Sequence, residues 1–383
     1  MDKYEVLKQY FGYDAFRDGQ EKMIDAITSG RDVLGIMPTG AGKSLCYQIP
    51  ALMAGENGGI TLVISPLISL MKDQVSALNQ AGVHAAYLNS SLTSGQYYKA
   101  LGYAREGRYP IIYVAPERLL TPEFLDFAVH AKIAMVAVDE AHCVSQWGQD
   151  FRPGYLKIEE FLCTLPKRPV VSAFTATATA EVRDDIIDLL KLQDPVVTTT
   201  GFDRPNLYFE VQSPKDKYAA VKTYIEEHAG QCGIVYCLTR KLVEEVTEKL
   251  MKDGFSVTRY HAGLSDNERK QNQDDFIFDR AQIMVATNAF GMGIDKSNVR
   301  YVLHYNMPQS LEYYYQEAGR AGRDGEEAEC VLFFSKQDIM INKRLLDYKA
   351  TEGGYTAGDP AVRANEQRKL NQMIHYCETD ECL

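Results

Sequence analysis

The stretch MPTGAGKS, residues 37–44, constrains this chain more than any other. It follows an apolar run, DVLGIM (32–37), and leads into a segment with helical patterning. A glycine-rich turn between a strand and a helix lets backbone N–H groups and a helix N-terminus cradle a phosphate, and such turns sit at strand ends in parallel α/β sheets. Pro38, Thr39, Gly40, Ala41 and Gly42 are expected to form the cradle, Lys43 to reach the β/γ oxygens of a nucleotide, and Ser44 to ligate Mg²⁺. The first glycine of the usual pattern, six residues before Lys43, is here Met37. Tandem-lobed motor ATPases tolerate that departure, whereas a small GTPase or a kinase usually keeps glycine. A plain strand–helix connection is the bland alternative.

The rest of the chain repeats the α/β pattern twice. The first set of β-rich apolar runs is 32–37, 60–65, 110–115, 134–139 and 169–174, with amphipathic stretches such as LISLMKDQVSALNQAG between them. Residues 203–217, DRPNLYFEVQSPKDK, break the alternation with two prolines and a charged turn. A second set then runs through 233–238, 256–261, 281–287, 299–305 and 328–334, with a capping-box signature at Ser265 and Glu268. The expected fold is α/β: two tandem P-loop lobes with parallel sheets at 1–205 and 206–340, then a short helical segment at 341–383 with a loop at 351–359.

Composition narrows the class. Hydrophobic residues make up 45 % of the 383, enough for sizeable cores, and no apolar run approaches a membrane span. The first residues lack a secretory layout. Eight cysteines form no Cys-x-x-Cys pair, and Cys46, Cys143, Cys237 and Cys330 sit in apolar runs, as reduced core thiols of a cytoplasmic protein would. The net charge of −11 counts against a nucleic-acid coat protein, so any DNA or RNA contact must be a local groove.

Two further motifs carry chemistry. DEAH (139–142) ends the run AMVAV, which places Asp139 to hold Mg²⁺ and Glu140 to orient an attacking water. A solvated acidic pair is the alternative. QEAGRAGRDG (316–325) sets Gln316, Arg320 and Arg323 on a helix and the turn that ends it. An arginine brought to the γ-phosphate from a second lobe neutralises transition-state charge, worth roughly 10³–10⁵ in rate. The alternative is an exposed Arg pair in a glycine-rich turn.

The order of these segments is similar to that of superfamily-2 helicases, and the whole chain resembles the RecQ DNA helicases. The resemblance rests on FGYDAFRDGQ (11–20), MPTGAGKS (37–44), SPLISLMKDQV (65–75), VDEAHCVSQWGQDFRPGY (138–155), FTATAT (174–179), VATNAFGMGID (285–295) and YYQEAGRAGRDG (314–325); the first and fourth are the specific ones. It implies two RecA-like lobes and an ATP- and Mg²⁺-dependent 3′→5′ helicase or translocase. Its partners would be single-stranded DNA and single-strand/duplex junctions, its setting repair and recombination in the cytosol or nucleoid, and its state a monomer without membrane contact. By resemblance Tyr13, Arg17 and Gln20 read the adenine; from the residues alone Gln20 also fits a solvated helix face. Trp147, Phe151 and Arg152 would sense single-stranded DNA, with a core or lobe-edge aromatic as the other reading of Trp147. FTATAT would transmit closure through hydroxyl groups, or serve as a strand end with a helix cap. Asp295 and Gly293 would lie near the nucleotide cleft. Arg240 and His261 would lie along the DNA track, though a lone histidine at a strand end also fits a satisfied polar side chain.

The family usually continues into a four-cysteine zinc module. Here Cys382 matches its first ligand and Cys377 lies just before it, so no zinc is expected, because two thiols cannot enclose that ion. Two readings compete: an RNA helicase, which should lack SQWGQDFRPGY, and a GTPase-like switch, which needs a guanine-reading Asn-Lys-x-Asp where the nearest string is NKRL (342–345).

Overall fold

The computed structural model describes residues 1–148, 150–201, 203–290, 296–351 and 360–379, with backbone alone at 348–351. The chain divides into two compact units, Met1–Phe202 and Asp203–Leu383.

The first unit is a seven-stranded parallel sheet. Its strands are Val33–Ile36 (β1), Ile60–Ile64 (β2), Ala85–Leu88 (β3), Ile111–Val114 (β4), Ile133–Val138 (β5), Val170–Thr175 (β6) and Val196–Thr199 (β7), in the order β3-β4-β2-β5-β6-β1-β7. Successive residues of one strand feed two different cores. Leu62, Ile64, Val136 and Val138 enter one cluster; Val63, Met135 and Ala137 enter the other. Both faces are therefore dry, which is why these strands read as unbroken apolar runs. Two strands escaped the sequence reading. AAYL (85–88) is short and half-buried, and VVTT (196–199) is a polar-flanked edge.

The second unit is a six-stranded parallel sheet. It comprises Leu207–Gln212 (β8), Cys232–Tyr236 (β9), Val257–Tyr260 (β10), Ile283–Ala286 (β11), Val299–His304 (β12) and Ala328–Phe333 (β13), ordered β10-β11-β9-β12-β13-β8. β8 lies inside the segment read as a break. Its two-residue alternation LYFEVQ pairs along all of β13, and the prolines flank it without interrupting it. Val235, Val285 and Leu303 face one core, while Ile234, Met284 and Val302 face the other.

Helices Lys336–Thr351 and Pro360–Glu378 follow β13. The second of them packs Leu370, Met373 and Cys377 against Met307, Tyr314, Leu332 and Phe334. Cys377 is thus a core thiol, pushed up to about 12 by burial. Cys382 and residues 352–359 lie outside the described residues. Cys46, Cys143, Cys237 and Cys330 are free and buried, as read from their apolar runs. Among the described residues no helix is long and apolar enough to cross a membrane, and no group of three His, Cys, Asp or Glu could hold a metal.

Candidate functional site

Strand order brings three sequence segments to one end of the first sheet. β6 lies between β1 and β5, so the turn after β1 (37–44), Thr175 at the end of β6 and Asp139 just after β5 leave neighbouring strands in the same direction. The Met37 N–H donates to Thr175 O (2.9 Å), closing the turn against the β6 end.

The turn needs its glycines. Gly40 and Gly42 have φ of 85° and 80°, in the left-handed region that favours glycine. A Cβ on Gly42 would also lie 2.5 Å from Gln20 Nε2. The space is taken because Gln20, buried to 1 % exposure, donates to Ala41 O (3.1 Å) and Gly42 O (3.2 Å) and accepts from the Arg17 N–H (2.8 Å). Arg17 Nη1 donates to Gly40 O (2.5 Å). Gln20 is therefore not a solvated side chain. Both its N–H groups are engaged by the loop. Tyr13 is half exposed. Lys43, the first residue of helix Lys43–Gly55, donates to Met37 O (3.0 Å) and Pro38 O (3.3 Å), stationing its ammonium inside the loop.

Asp139 is buried and Glu140 partly so, which rules out the solvated reading. Asp139 is 7 % exposed, and its carboxylate accepts the Glu140 N–H (3.0 Å). Burial, with the Glu140 charge beside it, pushes the Asp139 carboxyl up to about 7, and Lys43 opposes the shift. Glu140 adopts φ 48°, a strained left-handed conformation for a side chain of this size, and its Oε2 is buried without a hydrogen-bond partner. His142 Nδ1 meets Thr175 Oγ1 (2.9 Å) and stands 3.4 Å from Glu140 Oε2. Because the Thr175 hydroxyl donates to Thr177 O (3.0 Å), the network assigns the proton to His142 Nδ1. Burial lowers the His142 pKa, keeping the ring neutral. The sequence reading gave His142 no role; its place in DEAH was the available signal.

Two carboxylates, one of them orphaned, in a desolvated setting would suit a hard, oxygen-seeking divalent cation. FTATAT does two jobs here. Thr175 joins the histidine network, and Thr179 caps helix Ala180–Leu189.

The aromatic segment after DEAH is pinned to it. Tyr155 OH donates to Asp139 O (2.8 Å), the Arg152 N–H to Cys143 O (2.9 Å), and the Trp147 N–H to Ser145 Oγ (3.1 Å), which itself donates to Asp185 Oδ2 (2.6 Å). A Cβ on Gly148 would lie 2.3 Å from His142 O, so only glycine lets the loop fold this closely. Trp147 packs half-buried on the first core, and Phe151 is half-buried too. The Arg152 guanidinium grips Asp150 (2.9 and 2.8 Å) and Pro66 O (2.9 Å), so in this structure it braces the loop.

In the second unit, Gln316 lies on helix Leu311–Ala318, and Arg320 and Arg323 follow it. The exposed-pair reading fails for Arg320, which is 5 % exposed with Nε buried and unpartnered. The turn is built by Arg204, which donates to Ala321 O (3.1 Å) and Gly322 O (2.8 Å), and by Asn206. Arg240 opens helix Arg240–Lys252 and is exposed. His261 is the satisfied histidine. It is 5 % exposed, accepts the Gly263 N–H at Nδ1 (3.1 Å) and so donates from Nε2 to Glu244 (2.7 Å). Its imidazole is spent on its own unit. Gly293 and Asp295 lie outside the described residues.

Comparison with known proteins bears on this arrangement. Residues 17–186 match the DEAD/DEAH box helicase family and 216–325 the helicase conserved C-terminal domain. The chain is 48 % identical over 379 residues to the ATP-dependent DNA helicase RecQ of Bacillus subtilis, covering 99 % of this chain and 62 % of that protein. It is 47 % identical to the Pasteurella multocida protein of the same name, covering 99 % and 58 %. Against the fission yeast ATP-dependent DNA helicase hus2/rqh1, identity is 39 % over 97 % of this chain and 28 % of that one. The chain thus spans about three fifths of the length of these bacterial relatives. Among solved structures, yeast Dbp5 bound to RNA and ADP BeF3 aligns with TM-score 0.72 at 18 % identity, over 96 % of this chain and 97 % of that one. The helicase MrfA bound to DNA aligns with TM-score 0.73 at 18 % identity, over 98 % and 57 %. These two show the shared fold of tandem RecA-like units.

Proposed function

From the chain's membership of the RecQ helicase family, we propose that it is an ATP-driven 3′→5′ DNA translocase that couples hydrolysis to movement along single-stranded DNA and to opening of single-strand/duplex junctions in repair and recombination. The observation that carries this reading is the tether between DEAH and the aromatic segment 145–155. Trp147, Arg152 and Tyr155 of this segment are hydrogen-bonded to Ser145, Cys143 and the Asp139 carbonyl at 3.1, 2.9 and 2.8 Å, respectively. Contact with DNA bases can therefore reach the hydrolytic carboxylates over a few residues. Stacking on Trp147 and Phe151 is the sequence-tolerant contact such a sensor needs, with Arg240 toward the backbone.

Within this reading Lys43 and the loop 38–42 bind the triphosphate, Arg17 and Gln20 brace that loop, and Tyr13 offers an exposed ring for the adenine. Glu140, dry and unpartnered at Oε2, orients the attacking water. Its strained backbone aims the carboxylate, and His142 holds a proton at Nδ1 beside it. Mg²⁺, when bound by Ser44 and Asp139, supplies charge neutralisation at the phosphates. Gln316, Arg320 and Arg323 supply polar and cationic groups to the γ-phosphate during turnover. The chain works as a cytosolic monomer.

The test is ATP hydrolysis measured side by side with no nucleic acid, single-stranded DNA, duplex DNA and single-stranded RNA. Stimulation by single-stranded DNA above the others is expected. Equal or greater stimulation by RNA overturns the DNA assignment. Trp147→Ala should remove most of the stimulation, about tenfold if one base-stacking contact of 1–3 kcal/mol is lost, while leaving the unstimulated rate in place.

A further inference from the structure

The aromatic segment has a second anchor, on a helix outside every motif named above. Asp185 lies on helix Ala180–Leu189, which opens directly after FTATAT with Thr179 as its cap. Its Oδ2 accepts the Ser145 hydroxyl at 2.6 Å, across 40 residues of chain. Ser145 is fully buried. Its hydroxyl oxygen accepts the Trp147 N–H (3.1 Å), and its carbonyl accepts the Gly148 N–H (3.0 Å). Trp147 itself packs on a core to which Val182 and Ile186 of the same helix contribute.

The Ser145 hydroxyl has one arrangement that serves both partners. A backbone N–H can only donate, so the serine oxygen accepts from Trp147 and its proton is left for the Asp185 carboxylate. A hydrogen bond to a carboxylate is about twice as strong as a neutral one. The helix thereby fixes where the serine oxygen stands, and that oxygen fixes the backbone of Trp147. With the carboxylate gone, the hydroxyl can rotate, and its lone pair is no longer held against the Trp147 N–H.

We infer that Asp185 is a positioning residue for DNA sensing, holding Trp147 through Ser145 in the arrangement that receives a base. The inference rests on the proposed role of Trp147 as a contact with single-stranded DNA. It deepens that role, because the sensor is then held by the helix after FTATAT as well as by the DEAH strand. Losing the anchor leaves only a fraction of molecules with Trp147 in place, and the apparent DNA affinity falls by that fraction.

The chain has a single tryptophan, so its fluorescence reports Trp147 alone. The experiment titrates a thymidine oligonucleotide while following that fluorescence and, in parallel, ATP hydrolysis. The variants are Asp185→Ala, Ser145→Ala, the two combined, and Asp185→Asn, whose amide oxygen can still accept from Ser145. Each alanine variant should raise the half-saturating oligonucleotide concentration about tenfold in both readouts, the value of one hydrogen bond to a charged group. Acrylamide quenching of Trp147 in the free protein should rise with it. Because Asp185 acts through Ser145, the double variant should be no worse than either single one, and Asp185→Asn should stay within about twofold of wild type. A wild-type midpoint in either alanine variant overturns the inference. So does a double variant whose losses multiply, or an Asn variant as impaired as the alanine one. A wild-type protein whose Trp147 fluorescence ignores the oligonucleotide overturns the functional reading instead.

Discussion

Asp139 of the first unit and Asp338 of the second are both buried, and they are treated in opposite ways. Asp338 in the second unit is satisfied on all sides. It accepts from Lys217 Nζ (2.6 Å), Asn306 Nδ2 (2.9 Å), the Ser335 N–H (3.0 Å) and the Met307 N–H (3.4 Å). Asp32 in the first unit is handled likewise, by Arg168, the Val171 N–H and the Gln193 N–H. Asp139 receives one backbone N–H and has a second carboxylate as its neighbour. A buried charge with a full set of partners organises a fold; one kept short of partners costs stability and persists for a ligand the chain does not supply. That contrast separates scaffold from site without appeal to any motif.

Removing the orphaned carboxylate tests the contrast most severely. Glu140→Gln should lower ATP turnover about 10²–10⁴-fold, the range for loss of a positioned general base, while the melting temperature stays level or rises. A variant that loses stability and keeps its rate would place Glu140 with the scaffold. The complementary change is Asp338→Ala. It leaves Lys217 buried without its carboxylate and should cost about 3–5 kcal/mol in chemical denaturation, with turnover at low temperature near wild type. A loss below about 1 kcal/mol would show that solvent reaches Lys217.

The same comparison explains what could be read from the chain beforehand. The two α/β units were legible because parallel strands buried on both faces leave unbroken apolar runs. β3, β7 and β8 were not: AAYL and VVTT are short and partly exposed, and LYFEVQ stands among prolines and charges that normally mark a loop. The placement of Lys43, Asp139 and Glu140 after strands was legible because their motifs directly follow apolar runs. What such types do to one another was hidden. That Arg152 grips Asp150, that His261 is consumed by Glu244 and that Gln20 clamps the loop all depend on contacts across the fold, or on side-chain directions that spacing does not encode.

A smaller effect follows from the raised Asp139 carboxyl. Its folded-state pKa of about 7 lies above the ordinary 3.8, so the folded chain holds the extra proton between those values. Its contribution is therefore favourable below about pH 4 and is lost as pH rises through 7. Asp139→Asn should stabilise the chain at pH 8 by about 2 kcal/mol, a fraction of what three pKa units permit, and by nothing near pH 4. Asp338→Asn should destabilise at both pH values. Thermal melts at the two pH values decide it; a constant offset for Asp139→Asn would mean that the carboxyl is ionised throughout.

The mildest change separates two roles for one residue. If Gln20 paired with adenine, Gln20→Ala should weaken ATP and leave GTP and CTP alone. Both of its N–H groups are instead directed at Ala41 O and Gly42 O, and its carbonyl accepts from Arg17. Losing them frees the loop that cradles the phosphates, which every nucleoside triphosphate shares. The KM values for ATP, GTP and CTP should therefore rise together by about five- to tenfold, the value of one or two neutral hydrogen bonds, with kcat little changed. A loss confined to ATP would show that the amide leaves the loop for the base when nucleotide binds, making Gln20 a reader and not a brace.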